Sequence, residues 1–221
     1  GEPYGGWQTA DEYLSGNVRV KLREARQAAE DDPFFSGNVT ALEAVQPEDL
    51  TPGEIGVRIS ANWIPIEIYE QFMFELFGIS GYARERMKIL HSKATNEWNI
   101  TNKNSDSSNI RARTTYGTSR INAYHILEQT LNQKDVRIFD KMVDENGDER
   151  RVLNKKETAI AQDRQELIKS KFAEWIWKDI DRRERLCKIY NETFNSIRPR
   201  EYDGQHIRFS GMNPEISLRP H

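Results

Sequence analysis

The side chains with the clearest capacity for chemistry lie in the middle of the chain. Arg84, Arg86, Lys88 and Lys93 lead into a stretch that holds Arg111, Arg113, Tyr116 and Arg120, with Trp98 and Tyr116 interleaved among the cations. Guanidinium and ammonium groups contact phosphate oxygens, and aromatic rings stack on exposed bases, so a nucleic-acid surface needs this mixture. The candidate DNA-contacting residues are therefore Arg84, Arg86, Lys88, Arg111, Arg113, Tyr116 and Arg120. No established DNA-binding motif frames them, and an ordinary solvated face has the same composition. A second basic cluster, Arg182, Arg183, Arg185 and Lys188, reads as the wetted face of a helix.

Catalytic chemistries lack their parts. The sequence has no Gly-x4-Gly-Lys-Ser/Thr loop, so the backbone cradle and lysine of ordinary P-loop ATP hydrolysis are missing. It has no Gly-x-Gly cofactor loop and no Gly-x-Ser-x-Gly nucleophile elbow. His91, His125, His206 and His221 stand apart, without metal-ligand spacing. Asn62-Trp-Ile-Pro65 distantly resembles the Asn-Pro-Pro-Tyr loop with which adenine methyltransferases hold a flipped base. It lacks the first proline and the final aromatic, and Trp63 reads as core. The single Cys187 excludes an intramolecular disulfide and any cysteine-based zinc site. No catalytic residue and no metal ligand is assigned, no cofactor is expected in this segment, and a non-enzymatic module is expected. A nuclease built on clustered carboxylates and a divalent metal stays open as a third, weaker reading.

The elements that must position the basic residues follow from periodicity. Thr9 or Asp11 starts a helix running toward Glu30, with a break at Ser15-Gly16-Asn17, and a short helix spans Val39 to Val45. Ile55 to Ala61 alternates like a strand. Pro65 opens an aromatic helix whose stripe is Ile68, Tyr69, Phe72, Met73, Leu76 and Phe77, and Gly78 closes it. Asn96 to Thr101 reads as a strand with Ile110 to Thr115 as its partner, followed by a helix from Ser119. Val136 to Val143 and Arg150 to Leu153 flank Asn146-Gly147, the strongest hairpin signal in the chain. Asn154 with Glu157, and Asp181 with Glu184, read as capping boxes of two long helices. The expected fold is α+β, helix-rich, with a small antiparallel sheet (hairpin 136–153) and two long C-terminal helices. The expected organisation is an N-terminal helical segment over 1–53, an α+β core over 54–154, a helical pair over 155–198 and an extended linker over 199–221.

Composition sets wide bounds. A net charge of −3 gives no global pull toward polyanions, 30% charged residues imply a large wetted surface, and five Trp with nine Phe argue for a packed core. No apolar run approaches membrane-spanning length, no secretory leader is visible, and a cytoplasmic location is expected. Gly1 and the close at Leu218-Arg-Pro-His221 give the expectation that the chain is an interior segment of a larger protein.

Several stretches resemble the central region of very large helicase–adenine DNA methyltransferase proteins (Swi/Snf-type helicase family) of bacterial conjugative elements, plasmids and phages. They are Glu12-Tyr-Leu-Ser-Gly-Asn-Val-Arg19, Ala44-Val-Gln-Pro47, Ala61-Asn-Trp-Ile-Pro65 ahead of Phe72, Tyr116-Gly-Thr-Ser-Arg-Ile-Asn-Ala123 and Leu153-Asn-Lys-Lys-Glu-Thr158. The strongest lie near the end: Tyr190-Asn-Glu-Thr-Phe-Asn195, Arg198-Pro-Arg-Glu-Tyr-Asp-Gly204 and Met212-Asn-Pro-Glu-Ile-Ser-Leu-Arg-Pro-His221. The resemblance implies a methyltransferase domain upstream and a helicase motor downstream. Arg219 and His221 then stand at the start of the motif that recognises the adenine of ATP, whose glutamine is not in this chain. ATP with Mg²⁺ and S-adenosylmethionine are implied for the parent protein, and the partners implied are DNA and the flanking methyltransferase and helicase domains, with no membrane. Two roles follow for this segment: an accessory domain that contacts or positions DNA, or a purely structural docking spacer between the two modules.

Overall fold

Apolar side chains gather into two separate cores. The computed structural model describes residues 8–79, 81–143 and 148–201. The Asn146-Gly147 turn and the tail holding Arg219 and His221 lie outside the described residues. In chain order the elements are α1 (Ala10–Tyr13), β1 (Gly16–Asn17), α2 (Val18–Asp31), a 3-10 turn (Pro33–Phe35), α3 (Ser36–Glu43) and α4 (Ile66–Phe77). Then come α5 (Gly81–Arg86), β2 (Ile89–Ser92), β3 (Glu97–Ile100), a π-helical turn (Arg111–Thr115) and α6 (Ala123–Leu131). The chain continues with β4 (Phe139–Val143), β5 (Glu149–Leu153), α7 (Lys155–Ile176), α8 (Ile180–Phe194) and β6 (Ile197–Arg198). The fold is α+β and helix-rich, with three antiparallel strand pairs among the described residues. Among those residues no helix is long and apolar enough to cross a membrane.

By compactness the chain divides into two units, Pro52–Leu186 and Gly1–Thr51 with Cys187–His221. The helical pair over 155–198 is thus shared out, because α8 changes unit after Leu186. In the smaller unit the expected break in the first helix is real. Gly16 takes φ 73°, a left-handed conformation that favours glycine, and the Asn17 side chain then caps α2 by accepting from Val20 N at 3.0 Å. Val18, Ala25 and Leu42 form a small core, and β1 pairs with β6. Polar ties do much of the joining. Arg19 donates to Asn195 O (2.7 Å), Pro47 O (3.1 Å) and Asp49 (2.6 Å). The Gln46 amide donates to Val18 O and Leu42 O, and the Asn191 amide brackets both backbone groups of Leu50 at 2.8 and 3.0 Å.

The larger unit is organised on α4. Pro65 sits at its N-cap, Gly78 ends it at φ 66°, and the expected stripe is buried except for half-buried Leu76. Tyr69 stacks on Phe172 of α7 at 5.5 Å, Phe72 meets Phe172 edge-on at 5.0 Å, and Phe77 meets Tyr124 of α6 edge-on at 5.2 Å. Such aromatic pairs add about 0.5–1.5 kcal/mol each beyond their buried area. The β2–β3 ribbon is too small to stand alone, and helix side chains satisfy its outer edges. Glu70 accepts from Ile89 N (2.9 Å), Glu128 from Ile100 N (2.7 Å), and Asn132 brackets Trp98 at 3.0 and 2.8 Å.

Several expectations need correction. Ile55 to Ala61 forms turns, with Ser60 at φ 94° and its N–H held by the Tyr69 hydroxyl at 3.2 Å. Ile110 to Thr115 is no strand: the partner of β3 is β2, which precedes it. The hairpin pairs from Phe139 and not from Val136, because Gln165 and Thr158 of α7 take the N–H groups of Val136 and Ile138 at 3.2 and 2.9 Å. The helix expected from Ser119 begins at Ala123, capped by Asn122. Asn154 caps α7 as expected, accepting from Glu157 N at 3.0 Å, but Asp179 and not Asp181 caps α8, accepting from Arg182 N at 2.8 Å.

Candidate nucleic-acid interface

A ridge over residues 109–121 presents three of the six candidate cations, Arg111, Arg113 and Arg120, together with Tyr116. Asn109 starts it: its amide donates to Phe77 O at 2.9 Å and accepts from Ala112 N at 3.2 Å. The backbone then makes one π-helical turn, and Tyr116 N closes onto Arg111 O at 2.9 Å. Gly117 follows, packed so closely that a Cβ there would fall 2.2 Å from Ala112 O. Only glycine permits that approach. The Thr118 hydroxyl accepts from Arg120 N and Ile121 N at 3.1 and 3.2 Å and fixes the descending side.

This construction spreads four of the seven candidate residues over one short segment. The Arg111 side chain lies across Gly78, with its Nη1 3.2 Å from where a Cβ would stand. Tyr116 is half-buried and tilts against Phe77 at 5.7 Å. Arg113 is exposed. Arg120 is partly committed, to Asp140 at 2.8 Å and Phe139 O at 3.1 Å, and that pairing holds the Asp140 carboxyl below the usual carboxylate range, with help from Asn154.

Three clefts flank the ridge. The first, of about 370 Å³, runs between α4, Arg111, Tyr116 and the C-terminal end of α7, where Lys171 and Trp175 of the helix and Lys178 of the turn after it border the cleft. The second, of about 410 Å³, is bordered by Arg113 and Arg120 with Thr118, Ser119 and Asn122. The third, of about 470 Å³, lies between Gly78, Asn109 and Arg111. Together the clefts are lined by five cations, Arg111, Arg113, Arg120, Lys171 and Lys178, and three carboxylates, Glu75, Asp106 and Glu174. Every one of those carboxylates is already used. Glu75 accepts from Trp175 Nε1 (2.6 Å) and Gln71, Asp106 from Asn109 (2.6 Å) and Tyr124, and Glu174 from Lys171 (2.8 Å). Among the described residues Arg111, Arg113 and Lys178 make no side-chain hydrogen bond or ion pair.

The other three candidates lie apart from the ridge and share no cleft with it. The Arg84 guanidinium sits over the Phe74 ring at 5.1 Å, Arg86 covers and hydrogen-bonds Tyr82, and Lys88 approaches Glu70 at 3.9 Å. Trp98 is buried between Tyr69 and His91 and presents no ring for stacking. The second basic cluster also changes character. Arg182 is 5% exposed, donates to Ile176 O (3.0 Å) and Trp175 O (2.7 Å), and lies 3.5 Å over the Trp175 ring. It caps the C-terminal carbonyls of α7, where a cation is favoured. Sequence reasoning missed Lys171, Lys178 and Trp175 as neighbours of the ridge; the i, i+4 spacing of Lys171 and Trp175 on α7 was the available signal, while Lys178 lies in the turn after that helix.

Among the described residues no group of three or more His, Cys, Asp or Glu could hold a metal ion. No curated protein and no solved structure matches the chain. A family model does, over residues 58–196, which contain the whole ridge and more than half of the chain. The chain belongs to the family described as a domain of unknown function, DUF8437.

Proposed function

We propose that this chain is a non-catalytic, DNA-contacting accessory module of a larger cytoplasmic bacterial DNA-processing protein, and that the 109–121 ridge makes the contact. One observation carries the reading: among the described residues Arg111, Arg113 and Lys178 have no hydrogen-bond or ion-pair partner, while each carboxylate lining the three clefts does. An arginine folded against a carboxylate is spent, whereas an uncommitted one can displace counterions from a phosphate backbone. Arg120 joins them at the cost of loosening its tie to Asp140. Arg84, Arg86 and Lys88 are supporting contacts at most, since each is engaged elsewhere. The resemblance to helicase–methyltransferase proteins of mobile genetic elements supplies the parent: a methyltransferase using S-adenosylmethionine and a motor using ATP and Mg²⁺, reached by a tail that includes Arg219 and His221. A folded module that grips DNA between them raises the effective concentration of each at the same duplex.

The test is fluorescence anisotropy of labelled duplex and single-stranded DNA across a salt series. Binding that weakens with salt, and that is lost at moderate salt in the Arg111→Glu/Arg113→Glu double variant, supports the reading. Absence of binding at low salt removes it.

The alternative, a structural docking spacer, draws on the β4–β5 hairpin. Met142, Val143, Val152 and Leu153 are all exposed there. The register puts Val143 with Leu153 on one face of the hairpin and Met142 with Val152 on the other, and exposed apolar pairs of this kind suit a protein contact. Substituting Val143 and Val152 by Thr leaves DNA affinity unchanged and weakens docking of the flanking domains if that role holds.

A further inference from the structure

We infer that the 370 Å³ cleft beside the ridge takes a single unstacked nucleobase, so that the module prefers single-stranded DNA to duplex. The inference rests on the DNA-contacting reading and adds what kind of DNA and where its base goes. The floor of the cleft is apolar, made by Phe72, Leu76, Tyr116 and Trp175. Its rim carries Arg111, Lys171 and Lys178 beside two carboxylates, Glu75 and Glu174, which are bonded to Trp175 and Lys171 and leave Arg111 and Lys178 to face a ligand. A base needs such a floor, and the phosphates on either side of it need such a rim. The volume is at the lower end of the ~300–1,000 Å³ typical of small-ligand sites, enough for one base with its sugar and too small for a duplex.

The Trp175 ring is held in place before any ligand arrives. Its N–H is bonded to Glu75 at 2.6 Å, Arg182 takes one face of the ring at 3.5 Å, and Phe72 packs at 5.2 Å, so only the part of the half-buried ring that lines the cleft is left to a base. A ring already fixed loses little conformational freedom on binding, which favours affinity. Lys171 is paired with Glu174 at 2.8 Å, and that pairing pushes its pKa up. The ridge and the cleft share Arg111. A phosphate held by Arg111 therefore stands at the edge of the cleft that Arg111 lines.

The experiment compares three labelled probes with the full chain: single-stranded oligo-dT, a duplex of the same length, and an abasic phosphodiester oligomer of the same length. Intrinsic tryptophan fluorescence is recorded alongside. The expected result is that oligo-dT binds about tenfold tighter than the abasic oligomer, the size of one base stacked on an aromatic ring. Oligo-dT also quenches tryptophan emission, and Trp175→Phe, which keeps the packing, removes the quench. Lys178→Glu, on the exposed rim, lowers affinity for oligo-dT more than for duplex. Equal affinity for oligo-dT and the abasic oligomer, or a quench that survives Trp175→Phe, overturns the inference and leaves the ridge as a phosphate contact. No binding to any probe overturns the inference and the DNA-contacting reading together.

Discussion

Arg19 in the smaller unit and Arg113 in the larger one look alike in sequence, each an arginine in a polar stretch. Arg19 holds three acceptors from two distant loops, and the Asn191 amide nearby is 2% exposed and fully bonded. Arg113 stands exposed on a segment whose backbone is tightly built, and among the described residues its side chain has no hydrogen-bond or ion-pair partner. Three of the stretches behind the sequence resemblance meet in the smaller unit: Gly16 to Arg19, Gln46-Pro47 and Asn191 to Asn195 bond to one another, whereas Tyr116 to Ala123 belongs to the ridge side of the larger unit. Their polarity is spent on architecture. On the ridge the rigid part is backbone, and the charge is left over. A motif whose polar groups satisfy each other identifies a fold, and one whose cations remain unsatisfied points to a ligand.

The largest way to break this contrast is Gly117→Ala. The new Cβ meets Ala112 O, and relieving the overlap shifts the ridge; the cost is about 2–3 kcal/mol in denaturant titration, with DNA affinity falling in parallel. Next comes Asn191→Ala in the smaller unit. It strips both backbone groups of Leu50 of their partner and costs about 1–3 kcal/mol, while DNA affinity is unchanged. If Asn191→Ala weakened DNA binding as much as stability, the division of labour between the two regions would be wrong.

Arg120 sits between the two classes, and Asp140 decides which it joins. A carboxylate with a lowered folded pKa contributes stability above its unfolded pKa of about 4, and that contribution is lost as pH falls through the folded value. Thermal unfolding followed from pH 5 downward should therefore lose this contribution in the unaltered chain, and Asp140→Asn should already lack it at pH 5. The same substitution releases Arg120 and is expected to tighten DNA binding a few-fold at neutral pH. The smallest effect on stability is that of Arg113→Ala, within about 0.5 kcal/mol, as for an exposed residue without partners.

What sequence could reveal depended on whether a local signal had a local cause. Pro65, Gly78 and the alternation around Asn146-Gly147 act within a few residues of themselves, and α4 and the hairpin followed. Ile55 to Ala61 alternates, yet no strand is adjacent to pair with it, and Ile55 and Ile59 are buried from turns instead. Ile110 to Thr115 is rich in β-branched residues, but Asn109 and Gly117 impose a helical turn. Arg182 belonged to an apparently wet face until the end of α7 came to lie over it. Arg111, Arg113, Tyr116 and Arg120 were legible by composition. That Arg84 and Lys88 are engaged elsewhere was not, because their partners Phe74 and Glu70 come from α4; the Tyr82–Arg86 pair, four residues apart on α5, had a local signal.

The central claim is that Arg111 and Arg113 are held for phosphate and not for the fold. The measurement that meets it most directly is the salt dependence of single-stranded DNA affinity in the Arg111→Ala/Arg113→Ala chain beside the unaltered one, by anisotropy. At about 0.7 in slope per phosphate contact, the slope of log K against log salt should fall by about 1.4, with the melting temperature unchanged. An unchanged slope, or a slope change matched by a collapse in melting temperature, would contradict it.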